Sequence, residues 1–468
     1  MSVFINNFKK FLSLLRIALK GEEKEYTTGS INKAIFLLSI PMIAEMIMES
    51  LFAVVDVFFV SKVGVEAVAT VGLTESILMI IYSVAMGVSM ALTAIVARRI
   101  GEKNPERAAA AAFQGIVVCL VLGLATGVLG FYYAEDILRL MGAEPSLIES
   151  SAGYTRIMYA GNVSIILLFV TNGIFRGAGD ATIAMRSLWL SNGLNIILDP
   201  LFIFGIGPFP EMGVAGAALA TTIGRSIGVL YQFYYLFNGK SVIHLTLQSI
   251  VIRWQTIKEI FKIAAGGAGQ FLIESASWIF LVRIMSMFGS AALAGYTIAF
   301  RVIVFTILPS WGMANAAATL VGQNLGAERP DRAEASVWKT AKWNMFFLGS
   351  ISLIFIVFAP QILTLFTTDP EALFIGQRAL QIICIGYVFF AYGMVISQSF
   401  NGAGDTRTPL LINFVVFWLM QIPLSYFLAV WLDLKGDGVF TSIALCHSVH
   451  ALICIWLFRK GRWKTVKV

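Results

Sequence analysis

The sequence predicts an all-α polytopic membrane protein: twelve transmembrane helices in two six-helix lobes, related by a pseudo-two-fold axis along the membrane normal. Two observations carry that prediction. Of 468 residues, 58% are apolar and only 13% are charged, with a mean hydropathy of +0.81, whereas a soluble domain carries about 25% charged residues. The chain also repeats itself. Phe175-Arg176-Gly177-Ala178-Gly179-Asp180 recurs 225 positions on as Phe400-Asn401-Gly402-Ala403-Gly404-Asp405. The same offset joins Gly64 to Gly289, Glu49-Ser50 to Glu274-Ser275, Gly101, Pro105 and Arg107 to Gly326, Pro330 and Arg332, and Pro145 to Pro370. One constant offset over such a span marks a repeat of domain size.

Residues 1–30 form an N-terminal amphipathic segment and linker. A helix over the first twenty residues puts Phe4, Phe8, Phe11, Leu12, Leu15 and Leu19 on one face, with Lys9, Lys10, Arg16 and Lys20 off it. It reads either as an interfacial helix on an anionic leaflet or as a disordered basic tail; it is too short and too charged for a cleaved signal peptide. Gly21 to Ser30 is a polar linker. Twelve apolar segments follow, at roughly 34–60, 67–97, 108–132, 150–175, 183–207, 213–237, 258–288, 292–322, 334–359, 373–399, 409–432 and 438–458. Each is long enough for the ~20 residues that span a bilayer core. The expected division is an N-lobe at 31–238 (helices 1–6), a cytoplasmic linker at 239–256 and a C-lobe at 257–468 (helices 7–12) with a basic tail.

Lys and Arg set the orientation. Arg98, Arg99, Lys103, Arg107, Arg186, Lys240, Arg253, Arg329, Arg332 and Arg407 fall in connections on one side, together with the N-terminal segment and the basic tail. The other side holds only Lys62, Arg139 and Lys435. Both termini are therefore expected in the cytoplasm of a plasma (inner) membrane protein. The net charge of +7 is a topology signal, so no nucleic-acid partner is expected. Because six is even, the two repeats cross the membrane in the same sense, which is the plan of transporters that rock two bundles around a central site.

The repeated Gly-Ala-Gly-Asp stretch reads as a turn, with Asp180 or Asp405 capping the next helix and Thr408-Pro409 offering another start. It lacks the third Gly, the preceding strand and the Lys-Ser/Thr pair of a phosphate loop. Cys119, Cys384, Cys446 and Cys454 lie in apolar runs without CxxC spacing and read as core residues. With three histidines in the chain, most His-based enzyme sites are excluded; no cofactor and no enzyme activity are expected. His447 and His450 share a helical face and read as core or cavity residues, since no third metal ligand is apparent.

An ionisable residue in a spanning helix is expensive and is by default a functional candidate. Helix 1 carries Glu45, Glu49 and Asp56, whose spacings of four and seven put them on one face. Helix 5 carries Asn195 and Asp199, four apart, followed by Pro200, which frees the carbonyl of Ile196 from its helical donor. Helix 6 adds Thr221 and Thr222. With the repeat aligned on Pro200–Pro423 and Gly213–Gly436, Asp56, Asn195, Asp199 and Thr221 face Leu281, Trp418, Ile422 and Ala444, so all four polar positions are expected to be apolar in the second half. Two carboxylates, an amide oxygen, a hydroxyl and a freed carbonyl suit a hard monovalent cation or a shared proton; interhelical hydrogen bonding is the structural alternative. Glu274, the repeat mate of Glu49, reads as a second proton or drug-cation site, or as a carboxyl that is neutral or paired with Arg301 or Arg283. Arg156, Arg225 and Arg378 are expected to snorkel from segment ends. Glu75 has no spacing argument.

Taken together, Thr28-Gly29-Ser30-Ile31, Pro41, Val55-Asp56, the Arg-Gly-Ala-Gly-Asp turn, Asn195-x3-Asp199-Pro200 and Val321-Gly322-Gln323-Asn324-Leu325-Gly326-Ala327 resemble the multidrug and toxic compound extrusion (MATE) family over nearly the whole chain after residue 28. The resemblance implies two six-helix lobes forming a V, and efflux of amphipathic, mostly cationic compounds driven by Na⁺ or H⁺ entry. It places the family's N-lobe cation site on Asp56, Asn195, Asp199 and Thr221, with no metal expected beyond Na⁺ there. Glu274 matches the helix 7 carboxylate of NorM-type members, with Glu49 as its mate. Those members also carry a helix 10 Asp, which Phe389-Phe390-Ala391-Tyr392 lacks, so the chain looks closer to the DinF-like branch. The partners implied are small cationic substrates and the bilayer, with a monomer as the working unit. The competing expectations are a flippase of lipid-linked sugars, whose anionic cargo would want several Lys or Arg in the cavity, and a membrane-embedded enzyme, for which no HExxH is present.

Overall fold

The computed structural model describes residues 2–22, 25–246 and 248–468. Residues 23 and 24 of the first linker and Leu247 of the interlobe linker lie outside the described residues, as do the side chains of Phe4 and Phe8. The described residues form helices and no strands. Helix α1 (Ser2–Lys20) precedes the N-lobe, which comprises α2 (Ile31–Val63), α3 (Val65–Gly101), α4 (Pro105–Tyr132), the short α5 (Ala134–Leu140), α6 (Pro145–Ala178), α7 (Ala181–Ile203) and α8 (Val214–Phe237). The C-lobe comprises α9 (Trp254–Ser286), α10 (Ser290–Gly326), α11 (Pro330–Leu363), α12 (Pro370–Ile385) and α13 (Tyr387–Gly402). A single span then runs from α14 (Arg407–Asn413) through a π-helical stretch (Phe414–Gln421) into α15 (Ile422–Tyr426), and α16 (Lys435–Arg459) closes the lobe. Helices α12 and α13 bend by 58° at Gly386 and count as one span; ten spans among the described residues are then long and apolar enough to cross a membrane, and α2 and α7 complete a twelve-helix layout.

The repeat is visible in backbone detail. Gly64 and Gly289 (φ 141° and 99°) open α3 and α10, Lys103 and Glu328 (φ 56° and 58°) follow their ends, and Gly179 and Gly404 (φ 85° and 88°) end α6 and follow α13. Each pair is 225 apart. The lobes also meet reciprocally. A Cβ on Gly101 would lie 2.0 Å from Gln323 O, and one on Gly326 would lie 2.1 Å from Arg98 O. Likewise Gly87 packs on Ala264 and Ala268, and Gly312 on Met42 and Ile43. Contacts that map onto each other when the lobes are exchanged are what a two-fold axis requires.

The turns differ in one respect from expectation. Asp405 accepts from Thr408 N at 3.2 Å and so caps α14, which starts at Arg407, two residues before Pro409. Asp180 makes no such cap. It accepts from Ser241 Oγ at 2.6 Å and Val242 N at 2.8 Å, tying the interlobe linker to the end of the first repeat.

Both termini lie on one face. Thr182 donates to Ala18 O at 3.1 Å and Arg186 to Leu19 O at 3.0 Å, which docks α1 at the start of α7; Arg98 donates to Val466 O at 3.1 Å. Phe11 and Leu12 of α1 stay largely exposed. Among the described residues, the hydrogen bonds that join the lobes cluster at this same face. Gln323 donates to Gly177 O, Thr319 to Arg176 O, Arg329 to Thr27 O, and Arg332 to Tyr26 O, Thr28 O and Gly29 O. The lobes are thus joined at the terminal face.

Candidate functional site

The three acidic residues of α2 share a face, and each meets a different environment. Nearest the terminal face, Glu45 is buried, with Oε1 3.9 Å from Nη1 of Arg176 on α6. One turn on, Glu49 receives two hydrogen bonds from Arg225 of α8, Nη2 to Oε1 at 3.0 Å and Nη1 to Oε2 at 3.3 Å, and a third from Asn192 Nδ2 of α7 at 3.0 Å. Two turns further, half-buried Asp56 has no hydrogen bond or ion pair among the described residues. Arg225 therefore does not snorkel. It is 5% exposed, stacked 4.8 Å over the Phe52 ring and committed to Glu49. The other two arginines expected at segment ends do sit there: Arg156 pairs with Glu135 at 2.6 Å and Arg378 with Asp437 at 2.6 Å.

Asp199 lies within electrostatic reach of Asp56. Asn195 Nδ2 donates to Asp199 Oδ1 at 3.3 Å and to Thr221 Oγ1 at 3.0 Å, so the amide holds the carboxylate and the hydroxyl together. Gly224 makes this possible, because a Cβ there would come 2.6 Å from Ser191 O and 3.4 Å from Asn195 Cβ. Asn195 Oδ1 and Asp199 Oδ2 are buried and have no partner among the described residues. An orphaned buried polar atom costs about 1–3 kcal/mol, and both of these are pure acceptors. A small cation or a proton is the group that serves several such oxygens at once. Glu75 of α3 lies within electrostatic reach of Asp56; as the lone acid of the apolar segment 67–97 it offered no face pattern to read from sequence.

The structure corrects the pairing of the two halves here. Asn192 Nδ2 donates to Met48 O (3.4 Å) as Trp418 Nε1 does to Ile273 O (2.9 Å), and Ser187 donates to Gly228 O as His450 meets Asn413. Gly161 packs on Thr222 as Gly386 does on Ala444, and Gly228 on Leu168 as Gly393 does on His450. The register is thus 226 between α7 and its C-lobe counterpart, and 222 between α8 and α16. Asn195 corresponds to Gln421, Asp199 to Ser425 and Thr221 to Ile443. The second half is not apolar at all these positions. It keeps an uncharged polar cluster in which Ser425 bonds Ser442 and Ser277 donates to Gln421 Oε1 at 3.3 Å. What it lacks is charge, with Leu281 and Ser425 standing in place of the two aspartates.

Glu274 stands apart in the C-lobe. It is half-buried and lines a cavity with Trp278, Phe300, Trp311, Phe390 and His447. Neither Arg283 nor Arg301 pairs with it among the described residues. His450 is buried, bonded to Asn413 at 3.0 Å and stacked on Phe417. Among the described residues no three His, Cys, Asp or Glu side chains converge as a metal site.

Two parallel six-helix lobes around a cleft, with a polar pocket inside one of them, define the architecture of a membrane transporter. The MatE family profile matches residues 41–201 and again 268–427, once per lobe and over more than half the chain, and the protein belongs to that family. It is 27% identical over 446 residues to the probable multidrug resistance protein YoeA of Bacillus subtilis, covering 94% of this chain and 96% of the relative. It is 25% identical over 453 residues to the probable multidrug resistance protein NorM of Thermotoga maritima, covering 97% and 96%. A solved structure described as the outward-facing conformation of a multidrug resistance MATE family transporter of the MOP superfamily aligns with a TM-score of 0.89 at 29% identity, over 95% of this chain and 99% of that one.

Proposed function

We propose that the protein is an antiporter that exports amphipathic, mostly cationic compounds across the plasma membrane by alternating access, driven by entry of Na⁺ or H⁺. The observation that carries this reading is the unequal treatment of three carboxylates on one helix face. Glu45 and Glu49 each face an arginine, whereas Asp56 has no hydrogen bond or ion pair among the described residues and lies within electrostatic reach of Asp199, which Asn195 holds together with Thr221. A carboxylate pair without a resident cation is a place for an imported one. Filling it, or protonating it, relieves the repulsion between Asp56 and Asp199 and lets α2 and α7 close together, with Pro200 as the deformable point in α7. Each state of the lobe then binds ion and cargo with different affinity, which is what coupling requires.

The relatives named for multidrug resistance support drugs as cargo. The cleft supports planar, apolar ones: Phe271 and Trp311 stack at 5.5 Å and 13°, and line its floor with Met86 and Met90. Positive cargo is favoured by Glu274 in its aromatic surroundings and by the scarcity of basic groups facing the cleft. Arg176 is there but opposite Glu45, and an anionic lipid-linked sugar would want more. In this reading the terminal face is cytoplasmic, the lobes divide at 239–256, the open cleft faces outward, and one chain is the working unit. The lack of a helix 10 acid supports a reading nearer the DinF-like branch. The test is efflux of a cationic dye from proteoliposomes under separately imposed Na⁺ and proton gradients. One of the two is expected to drive concentrative efflux, and a dye flux indifferent to both would sink the proposal.

A further inference from the structure

We propose that Arg225 is the resident cation of a second, deeper ion-binding layer in the N-lobe, and that by filling this layer it limits the N-lobe to the one imported cation of the layer above. The inference rests on reading Asp56, Asn195, Asp199 and Thr221 as the ion site.

The two layers are built from the same three helices. On α2, Glu49 lies seven residues before Asp56; on α7, Asn192 lies three before Asn195; on α8, Arg225 lies four after Thr221. Each spacing keeps a helical face, and each step runs toward the terminal face. The lower layer therefore repeats the upper one in kind, with a carboxylate from α2 and an amide from α7. Where the upper layer is open to an ion, the lower one holds a guanidinium. Arg225 meets Glu49 through two hydrogen bonds, while Asn192 bonds the same carboxylate. The guanidinium lies over the face of Phe52, which stands on α2 between Glu49 and Asp56 and separates the layers.

The C-lobe supplies an independent comparison. Glu274 is the counterpart of Glu49 at an offset of 225. The 222 register of α8 and α16, fixed by the matched contacts Gly161–Thr222 and Gly386–Ala444, makes His447 the counterpart of Arg225. Glu274 and His447 line the same cavity. The C-lobe thus keeps the carboxylate of this layer, with Trp418 and His447 at the places of Asn192 and Arg225, and a permanent charge faces the carboxylate in the N-lobe only. A half-buried carboxylate that loses its fixed cation must recruit another, Na⁺ or a proton, because an unpaired charge in such surroundings is strongly disfavoured.

The test counts monovalent cations taken up by purified full-length protein moved from Na⁺-free alkaline buffer into Na⁺ at neutral pH. Na⁺ is followed by isotope retention and H⁺ by a pH-sensitive dye. Relative to the native chain, Arg225→Met is expected to take up one more cation, Arg225→Lys none more, and Arg225→Met with Glu49→Gln none more. If Arg225→Met cannot be recovered folded, Arg225→Gln keeps donors to Glu49 and removes only the charge, and is expected to give the same extra cation. A charge-removing variant whose count equals or falls below the native one overturns the proposal, as does a double variant that keeps the extra cation. Asp56→Asn separates this result from the reading beneath it. If Asp56→Asn takes up as many cations as the native chain, the upper site fails whatever Arg225 does.

Discussion

Asp56 is distinguished at the residue scale by its neighbours. Glu49, on the same helix face, has two donors from Arg225 and one from Asn192, whereas Asp56 has no hydrogen bond or ion pair among the described residues. Thr221 contributes a hydroxyl whose removal leaves volume and fold intact. Thr221→Val is expected to weaken ion binding several-fold, about 1 kcal/mol for one hydrogen-bonding group, as read by Na⁺ or proton titration of efflux. An unchanged ion dependence would remove Thr221 from the site. In the sequence, spacing on one helix face singled out Asp56 with Glu45 and Glu49, and Asn195 with Asp199; Thr221 entered as a polar residue of its span, and the family resemblance joined the four as a candidate site. The pairing of Arg225 was not legible there, since its partner comes from a different helix, although its place at the middle of 213–237 already argues against snorkelling from an end. Glu75 had no second acid within the apolar segment 67–97 to reveal a face.

At the element scale, glycines set how closely the site helices approach. Gly224 brings α8 against Ser191 and Asn195 of α7, where a Cβ would come 2.6 Å from a carbonyl oxygen. Gly224→Val is expected to destabilise the N-lobe by about 1–3 kcal/mol and to weaken ion binding together with thermal stability, both measured on purified protein. Native-like stability with native ion affinity would show that α7 and α8 do not need this contact. The spans themselves followed from hydropathy, and the positive-φ glycines of the repeated turn from composition. The pairing of α7 with α14–α15 and of α8 with α16 did not follow. The repeat drifts from 225 to 226 and then to 222 through unequal connections: ten residues join α7 to α8, and a much shorter link joins the counterpart span to α16. Loop-length changes leave no mark in a sequence until contacts fix the register. That is why Gln421 and Ser425 were passed over in favour of Trp418 and Ile422.

On the scale of the whole molecule, two lobes of one plan have been given different chemistry. The terminal face is closed by symmetric backbone contacts at Gly101 and Gly326 and by arginine bonds from Arg98, Arg329 and Arg332, while the charged pocket lies in the N-lobe alone. In the proposed function, ion entry at this N-lobe pocket drives transport and Glu274 in the C-lobe is secondary. Gradient-driven dye efflux from proteoliposomes by Asp56→Asn and Glu274→Gln, at matched protein content and beside the native chain, tests this. Asp56→Asn is expected to lose concentrative efflux under both Na⁺ and proton gradients, while Glu274→Gln keeps a reduced but gradient-dependent flux. Native-like efflux by Asp56→Asn together with a dead Glu274→Gln would place the driving ion in the other lobe and contradict the proposal.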